Sequence, residues 1–300
     1  MTLPCQDNGL ADALESWLIH LAAEHKSKDT IRTYEASARA LLKWCAAEGR
    51  PAVLDRPTVA AFLAALLTSR SAATANIRFR SLRRFAGWMA DEDLAGPNAL
   101  AGMKPPKLDK KIVPKLTDGD LKALLRACDG KRLCDRRDEA IVRLAAEAIC
   151  RAEELLACET DDVDMRRFVV DIRRGKGGRG RKIPFGAETG RALDRYLRLR
   201  KAYAKPNVAA FWVTAQGRPL GYAGLYTGLR RRAERAGVKH FHPHRLRHTG
   251  ASRWLDAGGS EGGLMRVAGW SSRDMLTRYV EDTAQERAIK EARGLGLGDI

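Results

Sequence analysis

Between residues 95 and 114 the chain carries Gly96, Pro97, Gly102, Pro105, Pro106 and Pro114. Proline lacks the backbone donor and fixes φ, so no long helix or central strand can run through this stretch. It divides the 300 residues into two parts, each long enough to close its own core. Lys104, Lys107, Lys110 and Lys111 lie between the prolines. A stiff, extended and basic linker over 95–114 is therefore expected, suited to following a polyanion.

Before the linker, residues 10–90 read as four helices. Leu14, Trp17, Leu18 and Leu21 repeat at helical spacing over Leu10–Glu24. A second helix, Thr30–Glu48, stops at Gly49, and Pro57 opens a third that runs through Thr68. The fourth, Ala73–Asp91, is expected to bury Ile77, Leu82, Phe85, Trp88 and Met89. Arg78, Arg80, Arg83 and Arg84 lie among those positions and are candidate phosphate contacts.

After the linker, Thr117 is a helix N-cap for Asp120–Cys128, and Arg136–Cys150 is a strongly apolar helix. Phe168–Ile172 and Arg181–Phe185 are β-like runs, with Gly175-Lys176-Gly177-Gly178-Arg179-Gly180 as the hairpin turn between them. Further helices are expected over Thr189–Ala202, Gly221–Ala236, Pro243–Ala257, Gly263–Ala268 and Arg273–Tyr279. The fold class is mainly α with a small antiparallel sheet.

Lys and Arg number 54 against 37 Asp and Glu, a formal net charge of +17. The first hundred residues hold twelve basic and eleven acidic side chains, so almost all the excess follows them. Such a surface attracts nucleic acid. No apolar run reaches 18 residues and the N-terminus lacks a signal-peptide pattern, so no membrane partner is expected. The six cysteines form no CxxC pair and read as reduced, mostly buried thiols of a cytoplasmic protein.

The densest chemistry lies in His242-Pro243-His244-Arg245-Leu246-Arg247-His248-Thr249. With Pro243 at a first helical position, His244, Arg247 and His248 share one helical face. HxxxH can hold zinc, but the zincin order needs Glu after the first His, and Arg245 stands there. Two flanking guanidiniums also repel a cation, so neither metal nor cofactor is expected. Arg beside His suits a phosphate, whose oxygens a guanidinium takes in pairs. Lys176 does not sit in a GxxxxGK[ST] order and so belongs to no nucleotide-binding P-loop.

Taken together, Arg151, Lys176, His244, Arg247 and Tyr279 resemble the tyrosine recombinase (phage integrase) family, specifically its two-domain Xer-like members. The motif Thr-Gly-Leu-Arg-x-x-Glu-Leu is matched by Ala148-Ile149-Cys150-Arg151-Ala152-Glu153-Glu154-Leu155, without the Thr-Gly. The lysine hairpin motif is matched over Gly175–Pro184, and His-x-Leu-Arg-His in full over His244–His248. Leu-Gly-His followed nine residues later by Tyr becomes Ala268-Gly269-Trp270 and Tyr279, with Trp in place of His.

The resemblance implies an N-terminal helical core-site DNA-binding domain over 1–94, the linker over 95–114, and a catalytic domain over 115–300. A C-terminal tail after Tyr279 would be exchanged between protomers. It implies catalysis by Arg151, Lys176, His244, Arg247, Trp270 and Tyr279, supported by Glu154 and His248. Arg179 and Arg181 join the linker lysines and the arginines of the fourth helix as expected DNA contacts. The implied activity is site-specific strand cleavage and rejoining through a 3′-phosphotyrosine, to integrate or excise a mobile element or resolve dimers. The implied partners are double-stranded recombination sites and a homotetramer on two duplexes, with room for accessory proteins. About nine residues precede the first helix, too few for the additional arm-site domain of larger members. Two rivals share these residues: a type IB topoisomerase-like DNA relaxation, and a catalytically silent DNA-binding regulator.

Overall fold

The computed structural model describes residues 9–108, 115–173, 180–273, 275–277, 288, 289 and 293. Lys110, Lys111, Lys176, Arg179 and Tyr279 lie outside the described residues. The chain forms two compact units, Met1–Lys111 and Ile112–Ile300.

The first unit is built from α1 (Gly9–Ala23), α2 (Lys28–Ala47), α3 (Arg56–Ser69) and α4 (Ala72–Asp91). Ser27, Asp55 and Ser71 cap α2, α3 and α4, each side chain accepting a backbone N–H three residues on. Trp17 anchors the core, stacked on Tyr34 at 5.2 Å and on Phe85 at 4.7 Å between ring centroids. The fully buried Leu100 joins the same core, and Arg56 donates to the carbonyls of Ala99 and Ala101. The first unit thus continues beyond residue 94: the start of the expected linker is packed, because Leu100 supplies an apolar side chain this small core uses.

Two expectations on α4 are corrected. Ile77 is 50% exposed instead of buried, because the buried stripe runs through Ala75, Phe79, Leu82, Ala86 and Met89. At 100° per residue, position 77 falls on the side of the helix opposite that stripe. Arg78 lies on the inner side, one and two turns before Leu82 and Phe85, and donates to Ser37 Oγ on α2 at 3.1 Å. It ties α2 to α4 instead of standing as an open phosphate contact. Arg80, Arg83, Arg84, Lys104 and Lys107 are exposed.

The second unit contains α5 (Asp118–Ala127), α6 (Leu133–Ala148), α7 (Ala152–Leu156), α8 (Ala187–Tyr203), α9 (Tyr222–Arg235), α10 (His244–Asp256) and α11 (Glu261–Ala268). Its sheet has order β1-β2-β3, from Val163–Asp164, Val169–Ile172 and Arg181–Pro184. The expected hairpin is present, with β2 and β3 antiparallel and Val170 opposite Ile183. The short elements β1 and α7 are additional, and α6 begins three residues earlier than expected. Asp135 draws that start forward by accepting from the backbone N–H of Arg132.

Helices α6 and α8 form the centre of the second core, with Ile141, Leu144, Leu193 and Tyr196 buried. A separate apolar cluster joins Ile149, Ala251, Leu255, Leu264, Ala268, Trp270 and Leu276. The backbone N–H of Leu116, just past the expected linker, donates to Thr249 Oγ1 on α10 at 2.9 Å. Cys45, Cys128, Cys150 and Cys158 are free and buried. No helix among the described residues is long and apolar enough to cross a membrane.

Candidate functional site

The site assembles where α6 ends and α10 begins. Helix α6 stops at Ile149, whose φ of 51° is left-handed, and the chain turns to place Arg151 as N-cap of α7. Glu154, one turn on, is 6% exposed and receives three groups. These are the Arg151 backbone N–H at 2.9 Å, Arg151 Nη1 at 2.7 Å and Arg181 Nη2 at 2.7 Å. Burial pushes the Glu154 carboxyl up, but the hydrogen bonds from Arg181 and Arg151 outweigh it and hold the group below its ordinary range. A charged Glu154 therefore fixes Arg151.

Arg181 does not stand out as a DNA contact. Its side chain is only 10% exposed, and Nε donates to the Val267 carbonyl at 2.7 Å. Arg181 and Ile183 are two apart on β3, so both point to the inner face. Gly269 completes this arrangement: a Cβ there would meet Arg181 Nη1 at 3.0 Å. Arg181 is thus a strut from β3 to α7 and to the end of α11, and strand parity is the sequence signal that points it inward.

On α10, Pro243 is the cap and His244 the first helical residue, one position later than expected. Arg247 is 2% exposed. One of its terminal nitrogens donates to the Ile149 carbonyl and the other to the Ala268 carbonyl at 2.8 Å. Its guanidinium lies over the Trp270 ring, 5.4 Å from the centroid. Where a histidine side chain is usual, Trp270 therefore supplies a π face that holds Arg247 in place.

His244 and His248 meet edge to face at 4.9 Å. Arg151 and His244 both line a cavity of about 10 Å³, with Cys150 and Leu246 among its other walls. That space is on the order of one water molecule. The His244 imidazole is pushed below its ordinary range, first by desolvation, then by the charges of Arg247, His242 and Arg151. Desolvation and the cationic neighbours act in the same direction here. Neutral imidazole is the form that can accept a proton.

The approach of α10 to α6 depends on Gly250. A Cβ at this position would lie 2.1 Å from the Ala146 carbonyl oxygen and 3.0 Å from Ile149 Cγ1. Gly250→Ala is expected to destabilise the second unit by about 1–3 kcal/mol through overpacking, and to part Arg247 from the α6 terminus. Chemical denaturation checks this: an unchanged midpoint would show that the helices separate without penalty.

Both parts of the chain resemble known proteins. The phage integrase family profile matches residues 114–286, and the phage integrase N-terminal SAM-like domain matches residues 14–93. The tyrosine recombinase XerC of Chromobacterium violaceum is 32% identical over 296 residues, covering 94% of this chain and 97% of that protein. Among solved structures, the XerH site-specific recombinase bound to a palindromic difH substrate superposes with TM-score 0.75. It is 17% identical, and the match covers 96% of this chain and 84% of that one. A lambda integrase tetramer bound to a Holliday junction superposes with TM-score 0.69 at 17% identity, covering 88% and 77%. At such identities these two structures establish the shared fold. The chain belongs to the phage integrase family. It is a DNA-recombining enzyme of the Xer-type tyrosine recombinases.

Proposed function

We propose that the chain cuts and rejoins DNA at specific sites through a 3′-phosphotyrosine, with Tyr279 as the nucleophile. The observation that carries this is the gathering of Arg151, Arg247 and a neutral-leaning His244 at the junction of α6, α7 and α10. A phosphodiester repels nucleophiles by its charge. Two guanidiniums on its non-bridging oxygens stabilise the further charge of the pentacoordinate state.

The Tyr279 hydroxyl attacks the scissile phosphorus and passes its proton to His244, while the bond to the 5′ oxygen breaks. Lys176 protonates that oxygen as it departs. Trp270 holds Arg247, Glu154 holds Arg151, and His248 supports His244 from the next turn. The new phosphotyrosine is itself a phosphodiester, so the bond energy is retained. The 5′ hydroxyl of a partner strand can attack it and release Tyr279 without an external energy source.

Two predictions probe the proton transfers. At subsaturating DNA the pH–rate profile reports groups of the free enzyme. A lowered His244 is neutral down to below the ordinary value of about 6.5. The cleavage rate should therefore hold at pH 6.5 and fall only below it, and His244→Gln should lose that acid limb along with most of the rate. An acid limb above pH 6.5 would assign the base elsewhere. Linkage gives the matching sign for stability: the unfolded chain binds the proton more readily, so this group weakens the fold as pH falls through its unfolded value.

Lys176→Ala should slow cleavage by about 10²–10⁴-fold, the worth of general acid catalysis. A 5′-bridging sulfur at the scissile phosphate needs no proton to leave and should restore most of that loss, while leaving Arg151→Ala impaired. Equal impairment of Lys176→Ala on both substrates would reduce the lysine to phosphate binding.

Double-stranded recombination sites are the proposed substrate, held by four copies of the chain acting on two duplexes. The fold shared with a lambda integrase tetramer on a Holliday junction supports that assembly. The proposed division of labour is core-site recognition by the four-helix unit, into which Leu100 packs, joined through the basic residues that follow it to a catalytic domain over 115–300. Integration or excision of a mobile element and resolution of dimers use the same strand exchange. Transfer of a label between two marked duplexes tests the reading: relaxation without transfer would point to the topoisomerase-like alternative.

A further inference from the structure

Ile149 has φ 51° and ψ 27°, and it is the β-branched residue among the non-glycine positions of positive φ in the described chain. A branched Cβ crowds the backbone in this region, so the conformation persists only where the surroundings impose it. Both ends of the residue are engaged. Its carbonyl accepts from Arg247, and the left-handed turn is what aims it at α10 instead of along the axis of α6. Its side chain is 1% exposed and belongs to the cluster containing Ala251 and Leu255 of α10, Ala268 of α11, Trp270 and Leu276.

These two engagements meet at the reacting groups. Trp270 is the ring that lies over Arg247. Leu276 is 4% exposed and precedes Tyr279 by three residues in the sequence. We propose that Ile149 is a positioning residue: it orients Arg247 through its carbonyl, and through its side chain it fixes the apolar floor under Trp270 and Leu276. The strained turn thus couples the phosphate-binding guanidinium to the segment leading to the nucleophile. This rests on Arg247 and Tyr279 being the reacting groups.

The backbone conformation makes the test sharp. Glycine, the family motif's residue at this position, adopts it without strain, so Ile149→Gly removes the side chain that the apolar cluster of this chain packs and leaves the carbonyl free to keep its orientation. Ile149→Val keeps both the strain and most of the apolar volume. In single-turnover cleavage of a half-site duplex, Ile149→Gly should be slower by about 10- to 100-fold, a loss typical of displaced reacting groups. Its affinity for the same duplex should be unchanged, and Ile149→Val should stay within a few-fold of wild type. Leu276→Ala, which leaves the turn intact, should show the same loss of rate without loss of affinity. Because both act through one cluster, the double variant should lose less than the product of the single losses.

Wild-type cleavage by Ile149→Gly would overturn the inference. So would a parallel loss of affinity and rate in both Ile149→Gly and Leu276→Ala, which marks a plain folding defect, or single losses that multiply. The covalent adduct of the wild-type enzyme keeps the two readings apart. Its absence would defeat the reading of the site, whereas its presence with full activity in Ile149→Gly would defeat only the role of Ile149.

Discussion

Tyr279→Phe should form no SDS-resistant protein–DNA adduct while binding the duplex as tightly as the wild type. The substitution removes one hydroxyl and no charge, and affinity for DNA is carried mainly by lysine and arginine on phosphates. The other tyrosines all lie in described residues and differ in their access to a phosphate. Tyr196 is fully buried, donates to the Phe211 carbonyl at 2.8 Å and accepts from the Val213 N–H at 2.9 Å. Burial pushes its hydroxyl up to about 12, and no phosphate can reach it. Tyr34 is stacked on Trp17 in the first unit. Tyr222 and Tyr226 stack on each other at 6.4 Å on α9, and Tyr222 is 48% exposed. These two and Tyr203, itself exposed, are the attackers to examine if the Phe variant still yields adduct, by mapping the phosphotyrosine peptide.

Arg247→Ala should lose both cleavage and stability, a combination that separates it from the other cations. Its terminal nitrogens serve the carbonyls of Ile149 and Ala268, at the ends of α6 and α11. A buried group left without its partner costs about 1–3 kcal/mol, so the variant should unfold at clearly lower denaturant. Loss of one donor to the developing phosphorane charge should slow cleavage by a further factor of about 10²–10³. Arg247→Lys retains the charge, but an ammonium cannot reproduce a planar fork held over the Trp270 ring. It should regain part of the stability and little of the rate. Wild-type cleavage by Arg247→Lys would mean that charge alone is used there. Single-turnover cleavage alongside urea denaturation checks both arms.

Much of the site is legible in the amino-acid sequence because its groups are tied to local pattern. His244, Arg247 and His248 are set by one stretch of helix, and helical spacing relates them whatever α10 packs against. Thr117 is readable as a cap because it satisfies a backbone N–H three residues away, on Asp120. Arg181 resembles a DNA contact in the sequence because its partners are distant along the chain. Glu154 lies 27 residues before it and the Val267 carbonyl 86 after it. The inward turn of Arg78 is visible in helix phase, but its acceptor Ser37 on α2 is not. The exposure of Ile77 is visible in the same helix phase, which sets it opposite the stripe of Phe79, Leu82 and Met89 although its side chain is apolar.

The sequence by itself determined the two-part division, the helical class with one hairpin, the family and the identity of the candidate reacting groups. All of these depend on composition, short-range periodicity or motif order, which survive without knowledge of packing. Only the tertiary structure decided how those groups are held. Arg247 is anchored on carbonyls at the ends of two other helices, and Arg151 is fixed through a carboxylate shared with a strand. Ile149 is kept in a left-handed turn by a cluster drawn from α10, α11 and the residues beyond them. Such contacts join segments far apart in the chain, and their geometry exists only once the helices have packed.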